Sequence, residues 1–172
     1  MDCYRKSAVE AFEKAETLVR AWLEEECITR VDVYLNGLGD VGDTLCWRIA
    51  DGEKKSVHID RSAGSAINKL RGIQALPGRG AWFYSHLWME MPEGVLHQES
   101  DWMCEPDMGF DEVPLGSCKT ELDRYPRDQE FIPDWLRYKV ERWRLERGPV
   151  VARRVAHLEE EFRLEGGKYR YP

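Results

Sequence analysis

Between Gly80 and Cys118 the sequence holds no Lys and no Arg, yet it carries Glu90, Glu93, Glu99, Asp101, Glu105, Asp107, Asp111 and Glu112. Carboxylates with no interleaved cations attract a basic surface and speed its approach. Two large rings, Trp102 and Phe110, lie in the same stretch and can anchor a contact once water is excluded. Glu99, Asp101, Trp102, Glu105, Asp107, Phe110, Asp111 and Glu112 therefore form the candidate partner-binding surface. The competing reading is a solvated loop at a sheet edge, where charge discourages strands of other chains from pairing.

The remaining chemistry-bearing residues give weaker signals. His58, His86 and His97 fall in predicted strands, and His97 is followed two residues later by Glu99. A histidine beside a carboxylate can do acid–base work or ligate a metal, which keeps a small His/carboxylate enzyme as an alternative. No metal-ligand spacing recurs, however, and the acids lack the order of a calcium loop. No nucleophile elbow, phosphate-binding loop or His-Glu-x-x-His is present. Gly37-Leu38-Gly39-Asp40-Val41-Gly42 matches the dinucleotide pattern by letters, but a strand follows where a helix is needed, and Asp40 would sit beside the phosphates. It reads as a flexible hairpin loop. The cysteines, Cys3, Cys27, Cys46, Cys104 and Cys118, are odd in number and widely spaced, which argues against a disulfide framework or a structural zinc site. The expectation is a non-enzymatic protein without cofactor or metal.

The totals agree. A chain of 172 residues suits one domain with a sizeable core. Net charge is −7, and its distribution is uneven: residues 1–119 carry 13 basic and 21 acidic side chains, while residues 120–172 carry 12 and 11. An acidic body disfavours nucleic acid and anionic lipid as direct partners. The opening MDCYRKSAVEAF lacks an apolar signal core, and free thiols suit a reducing compartment, so the expected location is the cytoplasm.

Periodicity supplies the elements that must position these groups. Asp2 to Glu26 reads as an amphipathic helix with Ala8, Phe12, Ala15, Val19, Trp22 and Leu23 as its stripe. Thr29–Leu35, Asp43–Ala50 and Lys55–Asp60 read as an antiparallel meander, the last two joined at Asp51-Gly52. Ser62 to Leu76 is a shorter helix. Ala81–Glu90 and Val95–Asp101 form a hairpin across Met91-Pro92-Glu93-Gly94. In its first strand Phe83, Leu87 and Met89 point one way, and Trp82, Tyr84 and Trp88 the other. A short helix is expected within Ser117–Tyr125. A longer one starts at Ile132-Pro133-Asp134, carries Leu136, Val140 and Trp143, and ends at Gly148-Pro149. A last helix, Val150–Glu165, has Val151, Val155, Leu158 and Phe162 in line and is expected to pack on the first. Its charges oppose its own dipole, basic first and acidic last. The fold class is α+β: about five antiparallel strands, meander plus hairpin, with an N-terminal, a mid-chain and two C-terminal helices. Residues 1–148 form the domain and 149–172 a helical extension. A monomer is favoured over an adaptor or oligomer built on the last helix.

Several short motifs, in order, resemble one family. Leu122-Asp123-Arg124-Tyr125-Pro126-Arg127-Asp128 followed by Ile132-Pro133-Asp134-Trp135-Leu136 is similar to the "FPR…IPxW" ending of the YezG-like immunity proteins found beside bacterial polymorphic toxins. Gly80-Ala81-Trp82-Phe83 resembles that family's "GAWY" strand, and Gly94 its hairpin glycine. Asp101-Trp102 with Pro106 and Phe110 resembles its acidic-aromatic segment. The resemblance covers about half the chain, from Ala63 to Val140, and stops before the last helix. It implies an antitoxin that binds a cognate toxin domain, commonly a nuclease, and blocks its active site. The Pro126-Arg127 and Ile132–Trp135 motifs read as structural, with Arg127 pairing a carboxylate and Trp135 filling the core.

Overall fold

The computed structural model describes residues 2–50, 52–109 and 112–164. The elements run α1 (Asp2–Glu25), β1 (Arg30–Leu38), β2 (Val41–Ala50), β3 (Glu53–Ser56), α2 (Arg61–Ile73), β4 (Tyr84–Glu90), β5 (Val95–Asp101), α3 (Leu115–Arg124), a 3-10 turn (Gln129–Phe131) and α4 (Asp134–Leu164). The strands form one antiparallel sheet in the order β3-β2-β1-β4-β5, so the meander and the hairpin join through β1 and β4. This is the α+β architecture expected from the sequence.

Alternation sets the main core. Val31, Val33 and Leu35 of β1, Leu87 and Met89 of β4, Leu96 of β5 and Cys46 of β2 point to one side of the sheet. There they meet Ala15, Val19, Trp22 and Leu23 of α1 and Ala63, Ile67 and Leu70 of α2. Of the α1 stripe read from sequence, Ala15, Val19, Trp22 and Leu23 are buried, and Ala8 and Phe12 partly so. A second cluster, Leu38, Phe83, Val113, Cys118, Leu136 and Val140, seats α3 and α4 at the end of the sheet near the β1–β2 turn.

Four expectations are corrected. The glycine-rich 37–42 segment is not a flexible loop. Strand pairing continues to Leu38↔Val41, leaving the two-residue turn Gly39-Asp40. That turn is held on α3: the Gly39 N–H donates to Glu121 Oε2 (2.7 Å), Arg124 donates to the Gly39 carbonyl (2.8 Å), and Ser117 donates to Asp40 (2.8 Å). Gly39 has φ +59°, and a Cβ there would run into the Ser117 carbonyl, so the turn needs glycine.

Next, β3 ends at Ser56 rather than Asp60. Asp60 is used as the cap of α2, its Oδ1 accepting from the backbone N–H of Ser62 (2.7 Å) and Ala63 (3.0 Å). Third, the alternation of β4 does not reach back to Trp82. The chain bends at Phe83, so Trp82 joins the main core at 1% exposure while Tyr84 and Trp88 lie on the other side of the sheet. Fourth, α4 does not stop at Gly148-Pro149 but continues to Leu164. Proline lacks the N–H that would bond the Leu145 carbonyl, at a cost of about 3 kcal/mol; its fixed φ remains compatible with a helix. The side chains of Val151, Val155, Leu158 and Phe162, and residues 165–172, lie outside the described residues.

Candidate functional site

The acidic segment divides into two parts in space. Glu105 and Glu112 are answered by α4: Lys139 Nζ lies 3.1 Å from Glu105 and 3.2 Å from Glu112, and Arg142 lies 2.7 Å from Glu112. Lys139 is nearly buried. Burial alone would lower its pKa, but hydrogen bonds to Glu105 and Glu112 and their charges raise it above the ordinary lysine value. Glu112 is held below the usual carboxylate range, first by the Lys139 hydrogen bond and then by its charge and that of Arg142. The absence of cations in the local sequence is thus made good by residues about thirty positions away.

Glu99, Asp101 and Asp107 remain outward, and none has an ion pair among the described residues. Asp101 turns the chain at the end of β5, its Oδ1 accepting from the N–H of Met103 (2.7 Å) and Cys104 (3.0 Å). Asp107 does the same for Gly109 at 3.0 Å. Trp102 is half-buried against the main core, and its carbonyl accepts from Arg127 at 2.9 Å, so most of its ring serves packing. Phe110 and Asp111 lie outside the described residues.

Glu99 and Asp101 border a second feature that the sequence only hinted at. The side of the sheet turned away from α1 and α2 carries Leu45 and Trp47 on β2, Asp32 and Tyr34 on β1, Tyr84, His86 and Trp88 on β4, and Val95, His97 and Glu99 on β5. Neither apolar cluster includes Leu45, Trp47, Tyr34, His86 or Trp88. Leu45 and Val95 are 47% and 45% exposed. The rings form a ladder. Tyr34 and His86 stack at 4.5 Å and 7°, His86 meets Trp88 at 4.9 Å, and Trp88 stacks on His97 at 5.1 Å and 13°. Lys54 of β3 holds its ammonium 5.0 Å from the Tyr34 ring and 5.0 Å from the Trp47 ring. Cross-strand register brings these rings together: Tyr34↔His86, Trp88↔His97, Asp32↔Trp47. The spacing of Tyr84 and Trp88, and of Leu45 and Trp47, was the available signal; the pairing of β1 with β4 was not.

The histidines are placed accordingly. His97 and Glu99 share this face as neighbours on one strand, but Glu99 stands opposite His86, and His97 lies on Trp88. The ordered pair is one the sequence did not suggest: His86 Nε2 is 2.9 Å from Asp32 Oδ1. Asp32 is also held by Arg30 at 3.1 Å. Burial pushes the Asp32 carboxyl up, but hydrogen bonds from Arg30 and His86, with their charges, more than offset it and leave the pKa below 3.8. A depressed folded-state pKa stabilises the fold at pH values above the unfolded one, and that gain disappears as acid titrates the carboxylate. Asp32→Asn is therefore expected to cost about 1.5–3 kcal/mol at neutral pH. The gap to the parent protein should close below about pH 4, as read from urea midpoints of both proteins across pH.

A cleft of about 340 Å³ lies between the Gly39-Asp40 turn and α2, with Arg71 and Arg124 among its walls. Both cations are already committed, Arg71 to Glu121 (2.7 Å) and the Trp82 carbonyl (2.8 Å), Arg124 to the Gly39 carbonyl. It is a seam of the fold rather than a receptive anion site. No protein-family model matches the sequence, and no curated protein matches it either.

Proposed function

We propose that this chain is a non-enzymatic antitoxin, an immunity protein that binds a basic toxin domain in the cytoplasm and blocks its active site. The reading follows the family resemblance of the Gly80–Phe83 and Leu122–Leu136 motifs. The observation that carries it is the set of outward carboxylates Glu99, Asp101 and Asp107, which lack cation partners among the described residues and border the aromatic sheet face that belongs to neither apolar cluster of the described residues. Carboxylates of this kind steer a basic partner and set its register, while adjacent rings supply contact area. Glu105 and Glu112 contribute less than the linear sequence suggests, because α4 already neutralises them.

The test is to look beside this chain's gene for a reading frame with a toxin-like C-terminal domain and to co-express that domain with this chain; the absence of any such frame would count against the antitoxin reading. The parent chain should restore growth and form a complex whose association slows as salt rises. The double charge reversal Glu99→Lys/Asp107→Lys should weaken that complex at least tenfold, while the urea midpoint falls only slightly through the lost Asp107–Gly109 turn contact. No rescue by the parent chain would refute the antitoxin reading; rescue with no loss in the double variant would refute the acidic rim as its site.

A further inference from the structure

Past Trp143, α4 leaves the surface of the domain. Leu136 and Val140 are buried, and Trp143 still meets α3, where the Lys119 ammonium lies 6.0 Å from its ring. From Arg144 to Arg154 every side chain the structure describes is exposed. The three most exposed large apolar side chains of the described residues, Leu145 at 79%, Tyr138 at 63% and Val150 at 60%, all belong to this helix. Arg144, Arg147 and Arg154 follow one another at steps of three and seven, which sets them along one face over about 15 Å. Neither they nor Arg153 beside them have a carboxylate partner among the described residues, and the one acid between Arg144 and Arg154, Glu146, is held by Arg142. The earlier cations of the helix are answered, Arg137 by Asp134, and Lys139 and Arg142 by Glu105 and Glu112. Unpaired arginines beside bare apolar side chains are the composition of an interface.

Of the anionic surfaces such a face attracts, two fit poorly. A membrane requires one apolar stripe, but Leu145 and Val150 lie five residues and about 140° apart around the helix. A nucleic acid makes no use of either side chain, and the chain's net charge of −7 repels it. The molecule itself supplies the third. Glu99, Asp101 and Asp107 are exposed and have no cation partner among the described residues. We propose that the arginine face of α4 docks on these three carboxylates of a second copy, whose own α4 returns the contact about a two-fold axis. Forked guanidinium groups match carboxylates in such a pairing. It continues between chains what the helix already does within one, where Lys139 and Arg142 neutralise Glu105 and Glu112. The dimer covers the acidic rim until a basic partner displaces the arm. The inference shares that rim with the antitoxin reading and requires no toxin.

The test is the molar mass of the intact chain, read by light scattering and sedimentation across micromolar concentrations. A dimer is expected in low salt, with an affinity that falls at least tenfold in high salt. The arm variant Arg144→Glu/Arg154→Glu and the rim variant Glu99→Lys/Asp107→Lys should each be monomeric and keep nearly the parent's urea midpoint. Mixed in equal amounts they should dimerise again, because one contact then joins a reversed arm to a reversed rim and the other joins a parent arm to a parent rim. The control Lys14→Glu/Lys69→Glu, which reverses as much charge at exposed positions on α1 and α2, should shift the affinity no more than twofold. A monomer at every concentration in low salt, a dimer that either variant leaves intact, or no dimer on mixing would each overturn the proposal. Binding of a single-stranded oligonucleotide or of phosphatidylserine vesicles by a monomeric chain, abolished in the arm variant, would overturn it too and assign the face to that partner. All masses are read without a toxin domain. A monomer therefore leaves growth rescue standing, and a failed rescue leaves the dimer standing.

Discussion

Replacing Glu121 with alanine is expected to lower the unfolding free energy by about 3–5 kcal/mol. Glu121 is fully buried on α3 and serves three elements at once. Its Oε2 accepts from Arg71 of α2 at 2.7 Å and from the Gly39 N–H at 2.7 Å, and its Oε1 lies 3.7 Å from Arg127. Removing the carboxylate leaves two guanidinium groups facing each other in the interior and strips the β1–β2 turn of its anchor. Burial, with the nearby Arg71 charge, lowers the Arg127 guanidinium to about 10 even though Glu121 raises it. A guanidinium does not deprotonate in proteins, so the loss of Glu121 cannot be relieved that way. The measurement is the urea midpoint of Glu121→Ala beside that of Glu121→Gln. The amide retains an acceptor for Gly39 but no charge, and should fall between alanine and the parent. A loss under about 1 kcal/mol would mean the cluster is worth no more than an exposed ion pair.

Arg127→Lys is expected to behave nearly as badly as Arg127→Ala, which should itself cost about 3–5 kcal/mol. The guanidinium donates from Nη1 to the carbonyls of Trp102 (2.9 Å) and Phe131 (3.2 Å), and from Nη2 to that of Ala81. It also lies 4.2 Å from the centre of the Phe83 ring. An ammonium has no planar fork to span these carbonyls or stack on that ring, so buried acceptors are stranded at about 1–3 kcal/mol each. Gly80 makes room for the fork: it sits at φ +76°, and a Cβ there would meet the Arg127 side chain. Thermal or urea denaturation of the two variants decides the matter. Lysine recovering more than half of the alanine loss would show that charge alone, not the fork, holds the site. Because Arg127 ties the end of β5 to the 3-10 turn before α4, its loss should also loosen the acidic segment. A destabilised Arg127 variant therefore says nothing about the partner surface, and the rim is better tested at Glu99 and Asp107.

Much of this architecture is local and was legible in the residues themselves. The α1 stripe of Ala15, Val19, Trp22 and Leu23 and the β5 span Val95–Asp101 follow from short-range periodicity, while the reading of Arg127 as a structural cation comes with the Pro126-Arg127 motif of the resemblance. Glu121 was not legible, because one acid on a short helix looks solvent-facing until two arginines from elsewhere reach it.

What the amino-acid sequence by itself determined is which side chains share a face, since a strand alternates every two residues and a helix every three to four. It could place Tyr84 beside Trp88, and Leu45 beside Trp47, but not say which face the helices would leave open. Only the tertiary structure decided that α1 and α2 cover the Val33 and Leu87 side, that β1 pairs with β4 so Tyr34 meets His86, and that Lys139 and Arg142 fold over Glu105 and Glu112. Pairing and charge compensation join residues tens of positions apart, and no local period encodes them. The acidic stretch was therefore visible as a run of letters, while the division between its neutralised and outward carboxylates had to await the packing of α4.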